Sequence, residues 1–172
     1  MKTIFAISGS LRAGSSNHYI LKALEKMMPS EVNYIIYDGL AHIPAFDPGL
    51  DNESPPATVS ALRTQLAEAD GIIICTPEYA YGVPGALKNA LDWMVSSASF
   101  SGKPTALITA STGGENAHEA MIKTLGAIDA RLHPETTLLI QFIRSKMDAG
   151  GNIIDPNTAQ KLKELFNVFM GI

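Results

Sequence analysis

The sequence predicts an α/β fold built on a mainly parallel sheet. Three observations carry that reading. Short apolar runs alternate with longer stretches of helical period. Most of those runs are continuously apolar, as central strands covered on both faces should be. No internal repeat or low-complexity tract breaks the alternation. The chain has 172 residues, of which 46% are hydrophobic and 17% charged, and a chain of this length is expected to bury one core without disulfides and to form a single domain spanning 1–172.

The strand candidates are Ile4 to Ser8, Val32 to Tyr37, Ile72 to Thr76, Thr105 to Ala110 and Thr136 to Ile140. Between them lie apolar stripes at helical spacing: Ile20, Leu21, Leu24, Met27 and Met28; then Val59, Leu62, Leu66 and Ala69; then Leu87, Leu91, Met94 and Val95. Met121, Leu125, Ile128 and Leu132 continue the pattern. Leu162, Leu165, Phe166 and Phe169 form a closing helix, with Asp155-Pro156 as N-cap and first position and Gly171 as its stop. The stretch Asp38 to Pro56 is polar, aperiodic and proline-rich, and is expected to be a surface excursion within the domain.

Charge and cysteine usage exclude several classes of partner. Thirteen basic residues against seventeen acidic ones give a net charge of −4, which offers neither nucleic acid nor an anionic membrane a sequence-independent attraction. Cys75 is the one cysteine, sits in the run Ile72-Ile73-Ile74-Cys75, and is expected to be a buried, inert thiol. The first residues hold one cation and too short an apolar stretch for a signal peptide or a spanning helix, so a cytoplasmic protein is expected. His18, His42, His118 and His133 lack metal-ligand spacing with Cys75 or with one another, so no metal site is expected.

Open parallel sheets bind ligands outside the carboxyl ends of their strands, which directs attention to the loops after the first, third and fourth strands. The first is Gly9-Ser10-Leu11-Arg12-Ala13-Gly14-Ser15-Ser16-Asn17 leading into a helix, rich in hydroxyls and set at the positive end of a helix dipole. Gly9-x-x-x-x-Gly14 begins like a triphosphate-binding loop, but Ser15 stands where the lysine must be. Leu11 stands where a dinucleotide fingerprint needs glycine. Two readings of this loop stand: a terminal monophosphate held by Ser10, Ser16, Asn17, backbone amides and the fork of Arg12, or a solvated Ser/Gly turn that caps a helix. The loop after the third strand, Thr76 to Gly85, combines prolines with Glu78, Tyr79 and Tyr81, a composition suited to the edge of a flat heterocycle. Ser111, Gly113 and Gly114 supply a second glycine-rich edge.

Gly9-Ser10-Leu11-Arg12 with Ser16-Asn17, then Thr76-Pro77-Glu78-Tyr79 followed by Pro84-Gly85-Ala86-Leu87-Lys88-Asn89-Ala90-Leu91-Asp92-Trp93, closely resemble the NAD(P)H-dependent FMN reductases of the flavodoxin-like superfamily, which include azo- and quinone-reducing enzymes. The resemblance extends over nearly the whole chain. It implies a five-stranded parallel sheet in order 2-1-3-4-5, FMN as cofactor and NAD(P)H as co-substrate. Ser10, Arg12, Ser16 and Asn17 would hold the FMN phosphate. Pro77, Glu78 and Tyr79 would border the ring, mainly through backbone, and Ser111, Gly113 and Gly114 would close its other side. It also implies a homodimer or homotetramer, with Trp93 and Ser96 to Ser101 near a subunit contact unless Trp93 belongs to the core.

The chain departs from that pattern at Ala80 and Tyr81, where many relatives have Asn after the Glu-Tyr pair; these two residues are candidates for the substrate face. In such an enzyme the flavin carries the chemistry, no catalytic side chain is assigned, and hydride from NAD(P)H leaves as electrons to a quinone, azo compound, free flavin or metal ion by ping-pong. The alternative is a flavodoxin-type electron carrier, which NAD(P)H oxidation by the purified protein would exclude. A phosphatase needs an Arg shortly after a loop cysteine, and a phosphorelay receiver needs an Asp at the end of the third strand; Thr76 to Pro84 and Cys75-Thr76 provide neither. Lys88 is expected to be a solvated charge or to orient Glu78.

Overall fold

The computed structural model describes residues 1–171. Its elements are β1 (Thr3–Ser8), α1 (Ser16–Glu25), β2 (Asn33–Tyr37), a 3-10 turn (Gly39–His42), α2 (Ala57–Glu68), β3 (Gly71–Thr76), α3 (Gly85–Asp92), β4 (Pro104–Ala110), α4 (Glu115–Ala127), β5 (Arg131–Ile140), a second 3-10 turn (Ile143–Lys146) and α5 (Pro156–Gly171). The strands pair in parallel in the order β2-β1-β3-β4-β5, the order that the resemblance implies. Because all five point the same way, the loops after them emerge along one edge.

The period of two along each strand assigns its side chains to two cores. Phe5, Ile7, Ile72, Ile74 and Leu107 face α2, α3 and α4, where they meet Leu62, Leu66, Leu87, Leu91, Met121 and Leu125. Ile4, Ala6, Ile73, Cys75, Ala106 and Ile108 face α1 and α5, against Ile20, Leu24, Leu162 and Phe169. Cys75 is fully buried, and burial pushes its thiol well above the ordinary range. Among the described residues no helix is long and apolar enough to cross a membrane.

Helix ends follow local chemistry. The Ser15 hydroxyl accepts the His18 N–H at the start of α1, and Asp155 accepts both the N–H and the hydroxyl of Thr158 at the start of α5, as Asp155-Pro156 predicts. The stripe that ran on to Leu132 is corrected. Asp129 adopts φ +59, Ala130 donates to the Leu125 carbonyl at 3.0 Å and Asp129 to that of Gly126 at 3.1 Å. This left-handed cap stops α4 at Ala127, and Leu132 pairs with Thr105 in β5. The last strand therefore begins five residues before Thr136, with Pro134 tolerated because β5 is an edge strand with a register shift beside it. The third stripe also overran: α3 closes at Asp92, and Val95 lies beyond it, exposed.

Nor is the segment after β2 merely superficial. Leu40 and Ile43 are buried, Phe46 meets Trp93 edge-on at 5.0 Å, and the Pro44 carbonyl accepts from both Trp93 Nε1 (2.9 Å) and Asn89 Nδ2 (2.8 Å). Farther along, Asp51 is held by Arg63, whose guanidinium also reaches the Trp93 carbonyl. Trp93 is wholly buried, so its side chain belongs to the core and offers nothing to a subunit contact. Trp93→Phe keeps most of the hydrophobic bulk but removes one of the two donors to the Pro44 carbonyl, leaving Asn89 as the other, and opens a small cavity. It is expected to lower the unfolding free energy by about 2 kcal/mol, read from urea unfolding followed by circular dichroism; an unchanged midpoint would refute the anchoring role.

Candidate active site at the carboxyl edge of the sheet

Four loop systems close around one cavity of about 170 Å³. Ser10, Arg12, Ser15, Ser16 and Asn17 come from the β1–α1 loop; Pro77, Glu78 and Tyr79 follow β3; Ala110, Ser111 and Thr112 end β4; Ile143 and Arg144 follow β5. Of the residues singled out from sequence, Ser10, Arg12, Ser16, Asn17, Pro77, Glu78, Tyr79 and Ser111 therefore line a common space. Gly113, Gly114, Ala80 and Tyr81 do not.

The β1–α1 loop is pinned from below. Gly9 donates its N–H to the Cys75 carbonyl at 2.8 Å, and a Cβ on Gly9 would lie 2.4 Å from Thr76 Oγ1. The glycine is thus required by the neighbouring strand, a different need from the approach to ligand that sequence suggests. Asn17 is 3% exposed. Its side-chain oxygen accepts from the Cys75 thiol at 3.2 Å and its amide donates to the Ala110 carbonyl at 3.3 Å. That leaves its backbone N–H and one amide hydrogen for the cavity. The N–H groups of Ser16 and Asn17, in the first turn of α1, have no acceptor among the described residues. The guanidinium groups of Arg12 and Arg144 make no ion pair there either.

Glu78 is the one carboxylate in the lining, and it is engaged elsewhere. Oε1 accepts from the Gly114 N–H at 3.3 Å and Oε2 from the Ala117 N–H at 2.9 Å. A side chain on the β3 loop thereby caps α4, whose own N-cap residue is a glycine with none. Gly114 sits at φ +117, where a Cβ would come within 2.8 Å of Leu139. Its N–H is already used by Glu78, and neither glycine of the pair lines the cavity. Lys88 does not orient Glu78; it pairs with Asp92 one helical turn away.

The backbone of the β3 loop is also partly committed. Glu78 N–H donates to the Ser111 hydroxyl, and Tyr79 and Gly82 exchange N–H and carbonyl at 3.0 Å across a tight turn. The N–H groups of Ala80, Tyr81 and Val83 have no acceptor among the described residues, so the free donors are displaced from the Pro77–Tyr79 stretch that the resemblance indicated. Tyr79 and Tyr81 are 54% and 82% exposed, so neither ring is buried in the core, although Tyr79 Oη lies 3.3 Å from the Ser10 hydroxyl. Behind the rim, His118 Nδ1 lies 2.9 Å from Thr109 Oγ1, and burial lowers its pKa.

Sequence reasoning missed Arg144 and Ile143. The signal available was an Arg shortly after the last strand, at the same sheet edge, but without the Gly-rich or Pro-anchored pattern of the other loops.

A 2-1-3-4-5 parallel sheet with a cationic, hydroxyl-lined crevice at its carboxyl edge defines a flavodoxin-like α/β protein, a class in which ligands bind at that edge. The sequence profile of NADPH-dependent FMN reductases matches residues 2–144, and the chain belongs to that family. It is 34% identical over 173 residues to a quinone reductase of Escherichia coli K12, covering 96% of this chain and 92% of that one. With a 2-hydroxy-1,4-benzoquinone reductase of Burkholderia it shares 32% identity over 172 residues, covering 96% and 93%. Among solved structures it resembles FerB, a flavoenzyme NAD(P)H:(acceptor) oxidoreductase of Paracoccus denitrificans, with a TM-score of 0.80 and 27% identity over 99% of this chain and 96% of that one. The chain is accordingly an NAD(P)H-dependent oxidoreductase with FMN as its cofactor.

The turn at Ala80-Tyr81 yields a prediction. Both residues have left-handed φ values, +48 and +60, a conformation that costs a non-glycine residue roughly 1–2 kcal/mol. Replacing the pair by Asn-Gly, the sequence such turns favour, is expected to stabilise the protein by about 1 kcal/mol or more in urea unfolding. Destabilisation would mean that Tyr81 makes contacts which outweigh its backbone cost.

Proposed function

We propose that residues 1–172 act as one FMN-binding domain that oxidises NAD(P)H and passes the electrons to a small acceptor: a quinone, an azo compound, free flavin or a metal ion. The observation that supports this most is the donor surplus of the cavity. Two guanidinium groups and two N–H groups without a partner among the described residues converge there with the Ser10 and Ser16 hydroxyls, while Glu78, the one carboxylate of the described lining, is turned onto α4. That set fits a phosphate dianion, which accepts from every direction and needs no metal.

In this reading Ser10, Arg12, Ser16 and Asn17 hold the phosphate. Pro77, Glu78 and Tyr79 border the ring on one side and Ser111 on the other, with Gly113 and Gly114 keeping the β4 loop close. Bound there, FMN supplies the electron sink that takes hydride from NAD(P)H and gives electrons to the acceptor. The chain's own contribution is positional. Glu78 and Ser111 fix the two rim loops against each other, and the Ala80 and Tyr81 N–H groups supply donors toward the ring edge. Their dipoles favour negative charge in that region. Tyr81 and Ala80 form the substrate face, where an exposed aromatic offers a flat acceptor a stacking surface. No side chain is assigned as nucleophile, acid or base.

The protein is further proposed to work in the cytoplasm as a homodimer or homotetramer, with the segment after α3, where Val95 is exposed, at a subunit contact. The sheet-edge assignment is tested by ligand binding. The purified protein with FMN should be yellow and should be bleached anaerobically by NADH or NADPH. Arg12→Ala should weaken FMN binding by about tenfold or more and leave riboflavin binding nearly unchanged. Equal loss for both ligands would remove Arg12 from the phosphate.

A further inference from the structure

The turn after β5 is held over the cavity by an arrangement with no evident purpose in the core. Phe142 adopts left-handed φ +53 although it is a bulky residue, 61% exposed, a conformation that persists only where the surroundings impose it. They do so by two hydrogen bonds. Phe142 N–H donates to the Thr112 carbonyl and Ile143 N–H to the Ser111 carbonyl, each at 3.1 Å, while the Ile143 side chain is buried as an anchor. The result is that Arg144, the next residue, lines the same cavity as Arg12, Ser10 and Ser16. A second hollow also has both Arg12 and Arg144 in its walls together with Ser16, so the two arginines flank the mouth of the α1 N-terminus. Asp148 also lines the second hollow, but it is held by Asn152, and neither guanidinium makes an ion pair with a carboxylate among the described residues.

Two cations left unpaired around one small space repel each other, and an arrangement of this kind is balanced by a ligand carrying two negative charges. We propose that Arg144 is a second phosphate-binding arginine, gripping the FMN phosphate from the β5 side opposite Arg12 and so selecting dianionic FMN over uncharged riboflavin. This rests on the FMN reading above and adds to it a residue that the nucleotide-binding loop does not contain. The strained corner at Phe142 is then the device that carries the side chain to the phosphate.

The test is equilibrium binding of FMN and of riboflavin, read by flavin fluorescence, to the full chain and to its Arg144→Gln and Arg144→Lys variants. The ligand-induced rise in Tm provides a second readout. Arg144→Gln is expected to weaken FMN binding by roughly tenfold to a hundredfold, the range for one charge-assisted contact, to shrink the FMN-induced rise in Tm and to leave riboflavin binding unchanged. Arg144→Lys should recover part of the loss. Unchanged FMN binding in Arg144→Gln, with Arg12→Ala still impaired, overturns this assignment and leaves the FMN reading standing. Equal loss of FMN and riboflavin also overturns it, since the turn would then be shaping the pocket and not holding charge. Absence of FMN binding by the unaltered protein would defeat both readings.

Discussion

At the carboxyl edge of the sheet this chain accumulates hydrogen-bond donors and positive charge that find no partner among the described residues, and the rest of the site is organised by that imbalance. Every parallel strand ends at the same edge, so the loops that follow are forced together. The first turn of α1 brings free N–H groups, Arg12 and Arg144 bring charge, and Ser10 and Ser16 bring hydroxyls. Among the described residues the one carboxylate within the lining, Glu78, is diverted. Such a set is at rest only against an anion, and the preorganised donors need no rearrangement to receive one.

Rigidity comes from hydrogen bonds between loops that are distant in sequence. Glu78 reaches across to cap α4, Ser111 returns a hydroxyl to the Glu78 N–H, and the backbone of Phe142 and Ile143 is tied to the β4 loop. The ends of β3, β4 and β5 therefore form one rim. Asn17 ties the other side, joining α1 to the Cys75 thiol and to the end of β4. On this fixed rim the strained Ala80-Tyr81 turn projects an aromatic ring into solvent. That placement suits a loop that meets exchanging substrates.

Much of this was legible in the sequence because burial on both faces writes an unambiguous apolar run, and β1, β3 and β4 begin and end within a residue or so of their apolar runs. The edge strand was harder. Pro134 and the polar residues around it hide β5, which only the left-handed cap at Asp129 separates from α4. Composition left the β1–α1 loop either a phosphate cradle or a solvated helix cap; the fold adds that its Ser10, Arg12, Ser16 and Asn17 share one cavity lining. Glu78 could be placed in the site but not given its task, because its partners Gly114 and Ala117 lie on another loop. Arg144 was invisible for a related reason: its position depends on the backbone at Phe142, and a phenylalanine gives no sign that it will take a glycine's conformation.

The protonation state of the bound phosphate tests the central claim most directly. Free FMN changes from dianion to monoanion near pH 6, and two guanidinium groups with free N–H donors should hold the dianion. In phosphorus NMR of the FMN complex, the resonance should keep its dianionic position as the pH falls well below 6, for as long as the complex persists. A bound phosphate that titrates like the free nucleotide would show that the crevice exerts no such grip.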